Sequence, residues 1–110
     1  MSLTQIEDMA TLAGRKFAYE AYRIWVDNNE IEKPLPGIIY NQNQLFWISS
    51  TLHECQKISQ ELTELNLRNK NMTLVKFRLN GSMRNLKEFV ADFQCSIGTK
   101  MNAINKCNMW

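Results

Sequence analysis

The sequence predicts a mainly α-helical fold with one short extended strand or hairpin. Apolar residues recur every three or four positions near the start of the chain, and shorter stretches with the same spacing follow. One segment, residues 75–79, instead alternates apolar and polar side chains, which is the two-residue period of a strand. At 110 residues, the chain has the size of one domain.

The longest predicted helix covers residues 5–27. Ile6, Phe17 and Ile24 follow the helical spacing, and the apolar surface is widened well beyond one stripe by Tyr19, Tyr22, Trp25 and Val26. A helix that is apolar around most of its circumference needs packing partners on several sides. We expect this helix to need more partners than a chain of this length supplies.

Two shorter helices are predicted after a proline-containing connection. Residues 33–37, Lys-Pro-Leu-Pro-Gly, should be extended, because a residue that precedes proline avoids helical backbone angles. The second helix is expected to begin at Asn41, a favourable N-cap, and to carry Leu45, Ile48, Leu52 and Cys55 on one face. The third helix is predicted over residues 58–67, with Ile58, Leu62 and Leu65 on its apolar face.

The pattern changes in the last third of the chain. Residues 75–79 are predicted to form the strand, and Asn80-Gly81 is typical of the turn that would end it. Asn85 and Glu88 have the spacing of a capping box, which predicts a final short helix with Leu86, Phe89, Val90 and Phe93 on its apolar face. The tail after Cys95 is expected to be irregular.

Composition excludes several classes of protein. The formal net charge is only +2, and lysines and arginines are interleaved with acids, so no basic patch for nucleic acid is present. A membrane-spanning helix needs a run of about 18 or more apolar residues, and none occurs in the sequence. Residues 1–4 lack the features of a signal peptide. We expect them to be an addition to an internal segment of a longer protein.

The cysteines and glycosylation motifs favour an oxidising compartment. The three cysteines are Cys55, Cys95 and Cys107, and their spacing with the single His53 does not suit a structural zinc site. An odd number permits one internal disulfide and a free thiol, or bridges to segments outside the chain. Asn-x-Ser/Thr motifs make Asn71 and Asn80 candidate glycosylation sites.

Three positions are candidates for chemistry. His53-Glu54 begins a His-Glu-x-x-His zinc motif, but Lys57 stands where the second histidine is required, so we interpret His53 as an ordinary surface residue. Glu7 lies in the first turn of the first helix, where a carboxylate is favourable without any metal. Arg78 is either a solvated charge on the strand edge or a guanidinium that holds a peptide carbonyl or carboxylate.

A series of motifs, in order along nearly the whole chain, carries a resemblance to a known family. The motifs are Ala18-Tyr19-Glu20-Ala21-Tyr22, Leu35-Pro36-Gly37, Asn43-Gln44-Leu45-Phe46, Phe77-Arg78-Leu79-Asn80-Gly81-Ser82, Phe93-Gln94-Cys95, Met101-Asn102 and Lys106-Cys107-Asn108-Met109-Trp110. With them the chain resembles the C-terminal part of the neprilysin and endothelin-converting-enzyme family of zinc metallopeptidases. A cysteine followed by two residues and a terminal tryptophan is distinctive of that family.

The resemblance implies that residues 1–110 are a helical C-terminal segment of a gluzincin-type metallopeptidase ectodomain, with residues 1–4 added. It places Glu7 at the position of the third zinc ligand. The two histidines and the general-base glutamate of the family motif His-Glu-x-x-His have no counterpart in this sequence. Because a catalytic zinc needs three protein ligands and an open position, this chain alone is expected neither to hold zinc tightly nor to hydrolyse peptides.

Two positions depart from the catalytic pattern of the family. Thr11 stands where the family has an aspartate that orients a zinc-ligand histidine, and losing such a carboxylate typically costs about 10–100-fold in affinity or activity. Met72 stands where the family has a histidine that stabilises the oxyanion, and a thioether donates no hydrogen bond. Arg78, in contrast, matches the family arginine that contacts the substrate backbone.

The resemblance also implies partners for the cysteines and a location. Cys55, Cys95 and Cys107 correspond to cysteines that bridge to segments upstream, so in this chain we expect free thiols. The longer protein is expected to be extracellular or at the cell surface. Apolar faces that would meet the upstream part of the ectodomain predict a homo-oligomer of the isolated chain.

Three functions are compatible with these observations. The first is a fragment of an active zinc metalloendopeptidase that takes peptides as substrates. The second is part of a catalytically impaired pseudopeptidase that acts as an extracellular peptide-binding or partner-binding protein. The third, a free-standing helical interaction module, is disfavoured by the spread of the family motifs.

Overall fold

A computed structural model of the chain describes residues 4–69 and 73–107. Those two ranges contain α-helices and a single 3-10 turn but no strand, which confirms the mainly helical prediction. The α-helices are α1 (Gln5–Asp27), α2 (Gln42–Ser49), α3 (Gln60–Arg68), α4 (Val75–Asn85) and α5 (Lys87–Asp92), and the 3-10 turn is Leu52–Glu54. Among these described residues, no helix has the length and apolarity to cross a membrane.

The first two helices begin where local sequence signals place them. Helix α1 spans the predicted residues 5–27, and α2 follows Asn41 as expected. The Asn41 side chain accepts a hydrogen bond from the Gln44 backbone N–H at 2.9 Å, and the Gln44 side chain accepts one from the Asn41 N–H at 3.1 Å. This capping box satisfies two N–H groups that the helix itself cannot pair, and a cap of this kind stabilises a helix by about 1 kcal/mol.

The predicted strand at residues 75–79 is wrong, because these residues form the first half of α4. The alternating pattern was overridden by a longer helical element, which continues through Asn85 and buries Ser82 and Met83. Phe77, which the strand pattern assigned to the apolar face, is 62% exposed. A lone strand would also leave its backbone groups without a partner strand, whereas a helix pairs them internally.

Two local sequence signals within this helix also gave wrong predictions. Asn80-Gly81 was expected to form a turn but lies inside α4. Asn85 was expected to cap the last helix, yet it is the final residue of α4, and no side chain of the described residues caps α5. The Asn85 side chain instead donates to the Gly81 carbonyl at 2.7 Å and accepts from the Cys107 N–H at 2.8 Å, which fastens the tail to α4.

A small aromatic core joins α1, α2 and the last two helices. Trp47 of α2 is only 1% exposed, and its ring stacks on Tyr19 of α1 at a centroid distance of 4.5 Å. Phe89 of α5 packs edge-on against Trp47 at a centroid distance of 5.8 Å. The buried core residues are Leu12, Tyr19, Trp47, Met83 and Leu86. This core holds α4 against α1 and so positions the side chains described next.

Much of the apolar surface of α1 lies outside this core. The exposed large apolar side chains of α1 are Ile6, Met9, Phe17, Ile24 and Trp25. The described part of the chain therefore covers only one face of a helix whose sequence is apolar on several.

Candidate functional site

A carboxylate from the 3-10 turn lies between two arginines from different helices. Glu54 Oε1 is 3.1 Å from Arg78 Nη2 of α4, and Glu54 Oε2 is 3.2 Å from Arg15 Nη2 of α1. Side-chain exposures of 10% for Arg15, 12% for Glu54 and 15% for Arg78 show that all three groups are largely shielded from water. Ion pairs in such surroundings are screened by salt far less than surface pairs.

The core explains why these three residues meet. Leu12 points into the core from α1, and Arg15 lies three residues later on a neighbouring part of the same face. Arg15 also donates to Ser50 Oγ at 3.4 Å, immediately after α2, which ties the guanidinium to the turn that carries Glu54. Because α4 packs against α1, Arg78 reaches the same carboxylate from the opposite side.

The three side chains together carry an excess positive charge. Burial lowers the pKa of Arg15, the neighbouring Glu54 carboxylate raises it, and the Arg78 charge lowers it further. Both guanidiniums nevertheless remain cationic, because arginine is not deprotonated in proteins. Within the described residues, the Nε atoms of Arg15 and Arg78 are buried without a hydrogen-bond partner. The pair of arginines therefore has more donors than Glu54 and Ser50 can use.

Arg78 forms part of the wall of a cleft between α1 and α4. The cleft has a volume of about 630 Å³, which is within the usual range for binding sites of small ligands. Its apolar wall is formed by Met9, Leu12 and Phe77, and its polar wall by Thr4, Gln5, Asp8, Thr73, Arg78, Ser82 and Asn85. Asp8 Oδ1 and Thr73 Oγ1 are buried without a partner in the described part of the chain. The cleft can therefore receive an apolar side chain beside hydrogen-bonding groups.

The structure separates the other predicted site residues. Glu7 is exposed in the first turn of α1 and is not among the residues that line the cleft. Thr11 is half-buried and lines a second, smaller cavity of about 250 Å³ together with Arg15 and His53. Met72 lies outside the described residues. Of the predicted site residues that can be located, Arg78 and Cys107 line the larger cleft.

The structure excludes one of the two interpretations of Arg78 from sequence, that of a solvated charge on a strand edge. The prediction of a strand-edge position is wrong, because Arg78 is in α4. It is also not a solvated charge, since its side chain is 15% exposed and paired with Glu54. A guanidinium that is held by one carboxylate keeps further N–H groups for a ligand.

The described residues do not make a complete metal site. In residues 4–69 and 73–107, no group of three or more histidine, cysteine, aspartate or glutamate side chains is arranged to hold a metal ion. Glu7 alone offers one carboxylate, and a catalytic zinc requires three protein ligands. Zinc therefore does not fit the described residues unless further ligands come from elsewhere.

The cysteines and the remaining sequence candidates lie on the surface or near it. Cys55 and Cys107 are exposed, Cys95 is half-buried, and all three are free thiols in the described part of the chain. His53 is 73% exposed, in agreement with its interpretation as a surface residue. Asn80 is exposed on α4, although Ser82 of its glycosylation motif is buried, and Asn71 lies outside the described residues.

Sequence reasoning missed the residues that organise this structure. Glu54 was considered only as part of a failed zinc motif, and neither Arg15 nor Asp92 was singled out. Asp92 accepts hydrogen bonds from Tyr19 of α1 and from Trp47 and Asn43 of α2. No local spacing signal could have found these contacts, because their partners lie 24 to 73 positions apart.

Comparisons with known proteins identify the family. The sequence profile described as "Peptidase family M13" matches residues 1–109. An endothelin-converting enzyme homolog from Locusta migratoria is 38% identical over 104 residues, which are 94% of this chain and 14% of that protein. Neprilysin-2 from Drosophila melanogaster is 36% identical over 107 residues, 97% of this chain and 14% of that protein.

A human relative gives the same result. Endothelin-converting enzyme-like 1 from Homo sapiens is 33% identical over 104 residues, which are 94% of this chain and 13% of that protein. The chain thus spans 13–14% of the length of these three relatives. The resemblance to the neprilysin and endothelin-converting-enzyme family is confirmed, and the chain belongs to peptidase family M13.

Proposed function

We propose that this chain is the C-terminal part of a longer neprilysin-like zinc metalloendopeptidase, and that its cleft contributes to peptide binding. The main support is the position of Arg78, a largely buried guanidinium in the wall of a cleft of about 630 Å³. A peptide carbonyl is a suitable acceptor for a guanidinium N–H, and the apolar wall suits a neighbouring apolar side chain. Family membership supports the same kind of ligand.

The metal chemistry of the longer protein would depend on residues outside this chain. Glu7 is exposed on the first turn of α1, so its carboxylate can reach a metal ion whose other ligands come from another part of the protein. We propose that Glu7 supplies one zinc ligand and that the two histidines come from upstream. Alone, the chain is proposed to be inactive, because one carboxylate cannot hold a catalytic zinc.

A second function is favoured by Thr11. This residue lies one helical turn after Glu7, and its side chain has no charge with which to orient a zinc-ligand histidine. Together with Met72 in place of an oxyanion-stabilising histidine, it makes a catalytically impaired pseudopeptidase the alternative. Such a protein would keep peptide binding through Arg78 and have little or no hydrolysis.

The exposed apolar side chains of α1 are proposed to pack against the upstream part of an extracellular ectodomain. Phe17, Ile24 and Trp25 are each at least 46% exposed in the described structure, which is unusual for a long helix of a complete domain. Cys55 and Cys107 are exposed and thus accessible for disulfides with that upstream part. These bridges require the oxidising compartment that we propose for the longer protein.

Peptide hydrolysis by the longer protein tests the two functions against each other. The protein would be assayed with a quenched fluorescent peptide before and after zinc removal, beside its Thr11→Asp and Arg78→Ala variants. Zinc-dependent hydrolysis that Arg78→Ala reduces would support the peptidase. Peptide binding without hydrolysis, with activity gained in Thr11→Asp, would support the pseudopeptidase. If the protein neither binds nor cleaves peptides, both proposals are wrong.

A further inference from the structure

We propose that Glu54 is a positioning residue that holds Arg78 in the orientation in which it binds peptide, an inference that rests on the proposed function of the cleft. Arg78 lines the cleft, and the hydrogen bond from its Nη2 to Glu54 Oε1 at 3.1 Å joins it to the 3-10 turn behind it. Glu54 itself is not among the residues that line the cleft. It therefore acts on a bound peptide through Arg78.

The second oxygen of the Glu54 carboxylate is bound by Arg15, and this contact keeps the carboxylate in place. Glu54 Oε2 accepts from Arg15 Nη2 at 3.2 Å, and Arg15 is bonded in turn to Ser50. Arg15 and Ser50 are parts of α1 and the end of α2, which the aromatic core joins. Glu54 is thus fixed from one side and fixes Arg78 on the other. A long, flexible arginine side chain that is held before the ligand arrives loses less entropy on binding.

Glu54 also separates two like charges. Without its carboxylate, the guanidiniums of Arg15 and Arg78 would face each other, and the charge of Arg78 already acts on Arg15 in the intact cluster. Glutamine at position 54 keeps the shape of the side chain but offers one acceptor oxygen and a donor NH₂ group. It can therefore accept from only one of the two arginines in this geometry. We expect Glu54→Gln to release Arg78 from the orientation in which it binds peptide.

The test is a set of binding measurements on the longer protein with zinc removed, so that the probe is not cleaved. The probe is the fluorescein-labelled, C-terminally amidated peptide Gly-Ala-Phe-Ala-Leu-Gly, whose apolar side chains match the wall of the cleft. The variants are Arg78→Ala, Glu54→Gln, the combination of both, and Arg15→Met. Glu64→Gln removes an exposed carboxylate on α3 and is the matched control. Thermal unfolding of each variant establishes that it is folded.

The expected results separate positioning from a merely structural role. Arg78→Ala and Glu54→Gln should each weaken binding by about tenfold, the scale of one charge-assisted hydrogen bond. The double variant should bind no more weakly than Arg78→Ala alone, because Glu54 acts only through Arg78. Arg15→Met removes the residue that fixes Glu54 but leaves the pair of Glu54 and Arg78, so it should weaken binding by less than Glu54→Gln. Glu64→Gln should retain binding within about twofold.

Other outcomes overturn distinct parts of the proposal. If Arg78→Ala weakens binding and folded Glu54→Gln does not, the positioning role is wrong and the peptide-binding function stands. If the losses of the two single variants multiply in the double variant, or if Arg15→Met weakens binding as much as Glu54→Gln, Glu54 is a structural residue of the cluster. If Arg78→Ala has no effect or the unaltered protein does not bind the probe, the proposed function itself is wrong, and the role of Glu54 is lost with it.

Discussion

Tyr19 and Trp47 stack on each other and donate hydrogen bonds to the same carboxylate oxygen. The Tyr19 hydroxyl and the Trp47 indole N–H each lie 2.7 Å from Asp92 Oδ2, while the two ring centroids are 4.5 Å apart. Aromatic rings that are buried together need a partner for their polar ends, and one residue of α5 supplies it for both. Asp92 thereby fastens α5 to α1 and α2, the helices that carry Tyr19 and Trp47.

Asp92→Asn should destabilise the chain by about 2 kcal/mol, because hydrogen bonds to a charged acceptor are worth about 1.5–3 kcal/mol and the amide accepts more weakly. Urea unfolding at neutral pH, followed by tryptophan fluorescence, measures the loss. Asp27→Asn is the control: Asp27 pairs with Arg23 on the exposed side of α1 at 3.7 Å, and such pairs contribute little. Equal effects of the two substitutions would show that Asp92 has no special part in the core.

The stability of the chain should fall in alkaline solution as Tyr19 loses its proton. Burial and the hydrogen bond to Asp92 raise the pKa of Tyr19 above its ordinary value. An unfolded tyrosine titrates at a pKa of about 10, so the unfolded state releases its proton first. Stability is therefore complete below about pH 10 and declines as the pH rises toward the folded pKa.

Urea unfolding between about pH 8 and pH 11 measures this decline around the tyrosine pKa. Tyr19→Phe removes the titrating group, so the variant should be less stable at neutral pH and lose less stability in base. Burial also raises the pKa of Tyr22, which should leave a smaller decline in that variant. A pH dependence that Tyr19→Phe leaves unchanged would contradict the assignment to Tyr19.

Gly81→Ala should stabilise the chain by about 0.5–1 kcal/mol, because alanine is a better residue than glycine inside a helix. An added Cβ at Gly81 meets no atom of the described residues within 4 Å, and the position lies within α4. Gly37→Ala is the opposite case: Gly37 has a φ of 74°, which strains any residue with a side chain. Thermal unfolding of both variants is the measurement. If Gly81→Ala is as destabilising as Gly37→Ala, residues 80–81 form the turn that the sequence predicted.

The isolated chain should self-associate through the apolar side chains that α1 exposes. An exposed apolar patch of this kind is unusual on a monomer and promotes association. Light scattering at micromolar concentration should give a mass above 12.9 kDa, and Phe17→Glu combined with Trp25→Glu should shift it toward that value. Lys16→Glu, a charge change of the same sign on the same helix, controls for repulsion alone. A monomer in the unaltered chain contradicts the prediction.

Local sequence was sufficient for the features that depend on neighbouring residues. The span of α1 follows from apolar spacing within the segment, and the start of α2 follows from the reciprocal hydrogen bonds of Asn41 and Gln44 three positions apart. The family motifs were also readable in the sequence, since they are strings of residues in order. Glu7, Thr11 and Arg78 could be singled out for the same reason.

Tertiary structure decided the conformation of residues 75–79 and the composition of the site, because both depend on which segments meet in space. Residues 75–79 carry the alternation of a strand, yet they belong to a helix that packs on α1 and buries Met83 in the core. The site shows the same dependence more strongly. Glu54 lies 39 positions from Arg15 and 24 from Arg78, so only the packing of α4 on α1 makes this glutamate the shared partner of both arginines.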